Sequence, residues 1–501
     1  MFRETLGWWL IVESIGLVAL PIAYVLFRRL PDRGYAFAKP LGILLGGYLF
    51  WLSLSAHVLS NRPGSIFWCY VLVAAVSALI FRSRRQEILD HLRDKTAVVI
   101  AVEVIFTLGL FVAAYLRSFI PEIDGTEKPM DFMFLNAASR SAHYPPADPW
   151  LAGFDVSYYY FGYVLQAMLG KVSAVSTSVA FNLGLASTAA LTMTAGFGLG
   201  YNLVALGRRA TLQMAIAAGL LAALFLAVLG NLEGVLEFAK ANGLGSTGIF
   251  DSMGIKDLAQ AAPSNHWYPS DETSFWWWWR ATRMCSDANC ILEFPFFSFL
   301  LGDLHPHVMA IPFVLTSIAL GISLWRSETP LGLEEWAANP PLLLLSGILI
   351  GGLGFLNTWD LPSFGALLVL LVVARNLRLT GDWNKTLRFS AGFLVPLATI
   401  AVVAYLPFYV TFHSQASGLG AVTNSATTIG HTLMFWLPLG IVTLLVPMVR
   451  LVQRPESITL NRLGLVLLVP VLVLVVWAIV IGANDQNLRD AINARGLNWL
   501  S

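Results

Sequence analysis

Ala97-Val-Val-Ile-Ala-Val-Glu103-Val-Ile-Phe-Thr-Leu-Gly-Leu-Phe-Val-Ala-Ala-Tyr-Leu116 is an unbroken apolar run interrupted by one charge, Glu103. A helix rises about 1.5 Å per residue, so about 20 such residues cross the roughly 30 Å hydrocarbon core of a bilayer. A membrane β-strand needs only about 10 residues, and they alternate; this run is longer and does not. Composition agrees with a membrane helix. Hydrophobic residues make up 57% of the 501 and charged residues 12%, against about 25% charged in soluble domains. The mean hydropathy is +0.69. A net charge of +1 leaves no basic face for nucleic acid.

Similar runs lie on both sides: Trp8–Phe27, Leu41–Leu59 and Ile66–Phe81 before it, then Thr177–Leu206, Gln213–Leu232, His307–Trp325, Leu342–Leu356, Ser363–Ala374, Phe389–Tyr409, Thr432–Val449 and Leu463–Ile481. The expectation is an all-α polytopic bundle of about 12 spans at about 20 residues each. The first run reads as a retained span, because Glu13 lies inside it and no small-residue cleavage pattern follows. Tyr158–Leu169 is too short to cross and is assigned to the interface or to a re-entrant helix. On that choice Arg28, Arg29, Arg33, the Arg82–Lys95 cluster, Arg208, Arg209, Arg326, Arg375–Arg388 and Arg450–Arg462 share one side. The positive-inside rule makes that side the cytoplasm. The expected organisation is N-terminal helices over 1–116, an outer loop over 117–176, a helix pair over 177–232, a second outer loop over 233–306, and C-terminal helices over 307–501.

The two outer loops are rich in acids and aromatics, unlike flexible linkers. The first opens Arg117-Ser-Phe-Ile-Pro-Glu122-Ile-Asp124-Gly-Thr-Glu127-Lys128-Pro-Met-Asp131-Phe. These acids suit a solvated loop, except that Asp131 precedes an apolar stretch and belongs near the bilayer surface, where it suits a general base or a metal ligand. Further on come Tyr158, Tyr159 and Tyr160. They fit an aromatic belt or a platform for sugar rings. The second loop holds Trp276-Trp-Trp-Trp279-Arg280-Ala-Thr-Arg283; Arg280 and Arg283 suit either a phosphate clamp or pairing with Asp271 and Glu272. Cys285 and Cys290 are placed to form a small-loop disulfide, and Cys69 to be a buried apolar residue.

Gly302-Asp303-Leu-His305-Pro306-His307 is the most pointed segment. Extended backbone would put Asp303, His305 and His307 on one side as ligands for a divalent metal such as Mg or Mn. The other readings make the histidines neutral hydrogen-bonding groups near a phosphate, or Asp303 a helix cap. Asn357-Thr-Trp359-Asp360-Leu-Pro362 reads as a turn between helices, or as a further substrate contact on the same outer side.

Asp155-Val-Ser-Tyr158-Tyr159-Tyr160-Phe-Gly162 resembles the tyrosine-triplet (YYYxG) integral-membrane family of chlorobacteria and archaea, as do Glu127–Phe132 and Gly302–His307. That family is uncharacterised, and its members are often longer than this chain. More distantly, Arg117-x-x-x-Pro, the acidic loop with Asp131, Asp148-Pro and the Gly207–Arg209 turn are similar in order to membrane glycosyltransferases of the GT-C type. These are the protein mannosyltransferases and aminoarabinose transferases that use polyprenyl-phosphate sugars. That resemblance implies a GT-C-like fold in which Asp131 is base or metal ligand. Three spans precede the one that should come first, and the Asp-x-His-x-His segment is foreign to the pattern.

The expected function is therefore a plasma-membrane transferase with an extracytoplasmic active face. It would move a sugar from a polyprenyl-phosphate donor to a lipid, glycan or protein acceptor. Asp131, Asp303 and His305 are its catalytic candidates, and Tyr158, Tyr159, Tyr160, Arg280, Arg283, Trp359 and Asp360 its substrate contacts. The alternatives are a lipid or solute transporter or flippase, which would need ionisable groups near the membrane midplane, or a non-catalytic scaffold subunit.

Overall fold

A computed structural model describes residues 2–261, 264, 266–269, 277–284, 291–414 and 427–453, with isolated positions at 475, 479, 490, 493 and 494. The described residues form helices and no strand. In chain order these are α1 (Phe2–Leu26), α2 (Ala38–Ser55), α3 (Pro63–Asp94), α4 (Thr96–Arg117), α5 (Lys128–Arg140), α6 (Phe161–Val172), α7 (Thr177–Ala205), α8 (Leu212–Ala227), α9 (Glu233–Ala241) and α10 (Thr247–Ser252). There follow α11 (Pro295–Leu301), α12 (Pro306–Trp325), α13 (Leu333–Ala338), α14 (Pro340–Leu356), α15 (Asp360–Thr380), α16 (Trp383–Val403), α17 (Leu406–Thr411) and α18 (Ile429–Gln453).

The chain divides into two compact units, Met1–Val228 with Ser298–Ser414, and Leu229–Phe297 with Gln415–Ser501. Among the described residues, eight helical segments are long and apolar enough to cross a membrane: α1, Tyr35–Ser55, α3, α4, α7, α12, α15 and α16. Three of the runs expected as spans form shorter apolar helices, α8, α14 and Ile429–Ile441. The run Gln213–Leu232 is cut short because α8 ends at Ala227 and Asn231 accepts the Glu233 N–H at 3.1 Å to begin a new helix. Leu463–Ile481, Asp271, Glu272, Trp276, Cys285 and Cys290 lie outside the described residues, apart from isolated positions within that run.

The first unit is built around α7, which packs on α4, α8 and α12. The α7–α8 contact is close because Gly200 has no side chain; a Cβ there would lie 2.6 Å from the Ala218 carbonyl oxygen. Small residues at a crossing let backbones approach in a medium where apolar burial alone gives no drive to associate. On α4 the buried stripe is Val98, Val102, Phe106, Leu110 and Ala114, while Ile100, Val104, Leu108 and Val112 form an exposed stripe. Both faces are apolar. A soluble helix would carry charge on the second; here that face suits lipid.

Charges at the basic end of the first unit are tied down. Arg28 and Arg29 reach Glu335 at 2.6 and 3.1 Å. Asp32, which the sequence did not single out, is buried and accepts the backbone N–H groups of Gly34 and Ala36 at 2.9 and 3.3 Å. Its own N–H donates to Asn202 of α7 at 3.1 Å, so the corner between α1 and α2 is fastened to the central helix.

The two acids noted within apolar runs, Glu13 and Glu103, converge on buried Lys39. Its Nζ lies 2.7 Å from each Glu103 oxygen and 3.1 Å from Glu13 Oε2, and Tyr35 donates to Glu103 at 2.9 Å. Removing one partner of a buried pair leaves an uncompensated charge, at a cost of about 3–5 kcal/mol. Lys39→Met should therefore lower the thermal midpoint of the detergent-purified protein sharply. Adding Glu13→Gln and Glu103→Gln to that variant should recover most of the loss. A single variant as stable as the native protein would show that the cluster holds nothing together.

Candidate functional site

The site begins with α5. Pro129 sits in its first turn, where the missing N–H is harmless, and the inward face carries Lys128, Asp131, Phe134, Leu135 and Ala138 at helical spacing. That periodicity turns Asp131 inward until it has no exposed surface. Asp131 Oδ1 accepts the hydroxyl of Tyr163 from α6. Its Oδ2 lies 3.4 Å from His305 Nδ1. Glu127, one turn earlier, places Oε2 3.3 Å from the same nitrogen.

On the far side of the imidazole, His305 Nε2 meets the Tyr158 hydroxyl at 3.3 Å. Tyr158 is held flat between Phe134, stacked at 5.0 Å, and Tyr159, stacked at 4.1 Å. The result is a buried carboxylate, an imidazole and a half-buried phenol in series. Burial alone would lower the His305 pKa. The hydrogen bond to Asp131 and the charges of Asp131, Asp303 and Glu127 outweigh it, so the value is raised above that of an ordinary imidazole. Burial and the neighbouring carboxylates push the Tyr158 and Tyr163 hydroxyls up, so both serve as hydrogen-bond donors rather than as phenolates.

His305 is also the N-cap residue of α12, with Pro306 in the first turn, where its missing N–H costs nothing. The N-cap position thus belongs to His305 and not to Asp303, and the His305 side chain makes no capping hydrogen bond. Ligand atoms of Glu127, Asp303 and His305 lie within 4.8 Å of one another, a carboxylate–imidazole set suited to a divalent cation. The expected trio of Asp303, His305 and His307 is altered because the helix begins at Pro306. Extended alternation stops there, and the His307 ring stands 5.1 Å from that of His305. Glu127 belongs to the set instead. From sequence alone Glu127 reads as one of the acids of a solvated loop.

The tyrosine triplet splits. Tyr158 and Tyr159 are half-buried at the site. Tyr160 is in the core, accepting the Trp51 indole N–H at 3.3 Å and packing on Phe355. The helix that follows, α6, is buried from Phe161 to Gly170; a helix lying on a membrane surface would expose one face. Trp359 is exposed at the turn before α15, and Asp360 there lies within electrostatic reach of His307.

In the second unit, Arg280 is buried and donates to Glu237 through Nε and Nη2, which occupies the fork expected to hold a phosphate. Arg283 stacks on Trp279 at 4.6 Å.

A raised folded-state pKa means that protonated His305 stabilises the fold at low pH, and that this contribution is lost as pH rises through the raised value. With divalent metal chelated, the thermal midpoint of the native protein should fall as pH rises past the ordinary imidazole range. His305→Gln should flatten that slope, and Asp131→Asn should move it to lower pH. An unchanged slope in His305→Gln would assign the titration elsewhere.

No curated protein and no solved structure matches the chain. Residues 45–488 match the family described as Uncharacterized membrane protein (DUF2298). The apolar helices of the fold agree with that description, and the chain belongs to this family of membrane proteins.

Proposed function

We propose that the chain is a glycosyltransferase of the outer membrane face, taking a sugar from a polyprenyl-phosphate donor to a hydroxyl of a lipid, glycan or protein acceptor. One observation carries the reading: a fully buried Asp131 fixes His305, and His305 presents its other nitrogen toward half-buried tyrosines. In the transfer, the acceptor oxygen bonds to the anomeric carbon. The bond from that carbon to the donor phosphate breaks, and the phosphate leaves with the electron pair. The acceptor proton must go to a base. Asp131 has no exposed surface and both its oxygens are engaged, so His305 takes the proton and Asp131 balances the imidazolium charge. A base whose pKa is raised toward the working pH is well matched to this task.

If a divalent cation such as Mg or Mn takes part, Glu127, Asp303 and His305 would hold it, and it would neutralise the departing phosphate. In that form His305 would be a ligand and not the base. Tyr158 and Tyr159 offer stacked ring faces of the kind that sugars pack against. Transport is the less favoured reading. Inside the apolar runs of the first unit, Glu13 and Glu103 are both tied to Lys39, and the remaining chemistry gathers where α4 ends and α12 begins.

Radiolabelled sugar transfer from a panel of polyprenyl-phosphate donors, with and without chelator, tests the proposal. Asp131→Asn and His305→Ala should each lower transfer by at least about 100-fold, the lower end of what general acid–base groups supply, with folding retained. Full activity in both variants, or movement of lipid across vesicles without sugar transfer, would remove the reading. Loss of activity on chelation, restored by Mn or Mg, would favour the cation-bound form of the site.

A further inference from the structure

Arg117, the last residue of α4, is 7% exposed. Its Nε and Nη2 donate to the amide oxygen of Asn182 at 3.0 and 2.9 Å. Among the described residues no carboxylate lies within ion-pair distance of it. Asn182 is fixed in that orientation, because its own NH₂ donates to the carbonyls of Pro121 and Ser178 at 3.1 and 3.2 Å. On the other side stands Gly302, at φ +82°, where a Cβ would lie 2.3 Å from Arg117 Nη1. The guanidinium is thus clamped beside the segment that carries Asp303 and His305.

A second cation, Lys128, is 3% exposed and also makes no ion pair among the described residues. Burial first, and then the charge of Arg117, hold its pKa below the ordinary lysine value despite Asp303, Asp124 and Glu122. A buried cation without a counterion is costly. Arg117, whose guanidinium is met by a neutral amide, is open to an anionic ligand.

Arg117 also lines a cavity of about 400 Å³, within the roughly 300–1,000 Å³ of ordinary ligand sites. Ser118 and Asn182 give it a polar side, and Ala114, Val179 and Leu183 an apolar one. An occupant matching both sides has an anionic head and a hydrocarbon body. One acid, Glu4, stands on the wall as well, which disfavours polyanions such as nucleotides over a single phosphate.

We propose that this cavity binds an isoprenoid phosphate, with the phosphate on Arg117 and the first hydrocarbon units against Ala114, Val179 and Leu183. The identification of this lipid as the sugar donor rests on the transferase reading; the phosphate site itself does not.

The test is equilibrium binding of a long-chain polyprenyl monophosphate to the full chain in detergent. The same-chain polyprenol, a diacyl phosphatidic acid and inorganic phosphate serve as the other arms. The native protein should bind the polyprenyl phosphate, and Arg117→Ala should weaken it by about 10- to 100-fold, the value of one or two charge-assisted hydrogen bonds. Arg117→Lys, which keeps the charge, should recover part of the loss, and thermal midpoints confirm that each variant folds. Polyprenol should bind at least about tenfold more weakly than its phosphate.

Equal affinity of native protein and a folded Arg117→Ala would overturn the site. Inorganic phosphate competing as well as the lipid would overturn its lipid half, and phosphatidic acid binding as tightly would overturn its isoprenoid half. Asp131→Asn should bind the lipid as the native protein does. If native and Asp131→Asn proteins both bind but no donor sugar is ever transferred, the phosphate site stands and the transferase reading falls.

Discussion

A carboxylate with no exposed surface must be satisfied by its neighbours, and the arrangement around Asp131 follows from that requirement. A solvated acid would tolerate any surroundings. Asp131 instead needs the Tyr163 hydroxyl from α6 and the His305 imidazole from the start of α12. Those two contacts draw three separate stretches of chain to one point: the loop after α4, the short helix after the tyrosine triplet, and the segment after Gly302. Inside a protein of low dielectric, such hydrogen bonds are stronger than in water and costlier to leave unmade. The same bonds that position the chemistry also assemble this part of the first unit.

The first unit treats its buried charges in two ways. Within the spans, Lys39 lies between Glu13 and Glu103, so the lysine and both acids are held by one another. Where α4 ends, Arg117 is buried against the neutral amide of Asn182 and Lys128 makes no ion pair among the described residues, while carboxylates gather around His305. Charge paired inside the protein holds structure. Charge that is buried but left open to an outside partner suits binding, and it lies next to the imidazole that can exchange a proton. Gly302 joins the two parts of the site, since only a residue without a side chain lets the backbone cross the Arg117 guanidinium just before Asp303.

Much of this was legible in the sequence, because lipid imposes a simple rule: apolar on every face for about 20 residues. The span of α4 is plain for that reason, as is the shortness of the stretch that becomes α6. The polar candidates Asp131, Asp303 and His305 were also readable, since acids and histidines beside apolar runs are costly without a purpose. Three features escaped. Glu127 and Lys128 looked like ordinary loop charges until α5 turned them toward the site. Tyr163 stood one position beyond a glycine that ended the tyrosine motif, and its role depends on helix packing that no local pattern encodes. His307 seemed to continue an alternating triad, but Pro306 starts a helix and turns it away from that alternation. Tyr160 shows the opposite limit. It shares the motif of Tyr158 yet serves the core, because neighbours on a chain face different directions.

The central claim is that Asp131, His305 and their surroundings form the centre at which a lipid-linked sugar reacts. A cryo-electron microscopy map of the protein with a non-hydrolysable polyprenyl-phosphate sugar analogue would examine that directly. The account predicts sugar density beside His305 and Tyr158, and phosphate density between that centre and Arg117. Density for the analogue elsewhere in the first unit, with His305 and Arg117 untouched, would contradict it.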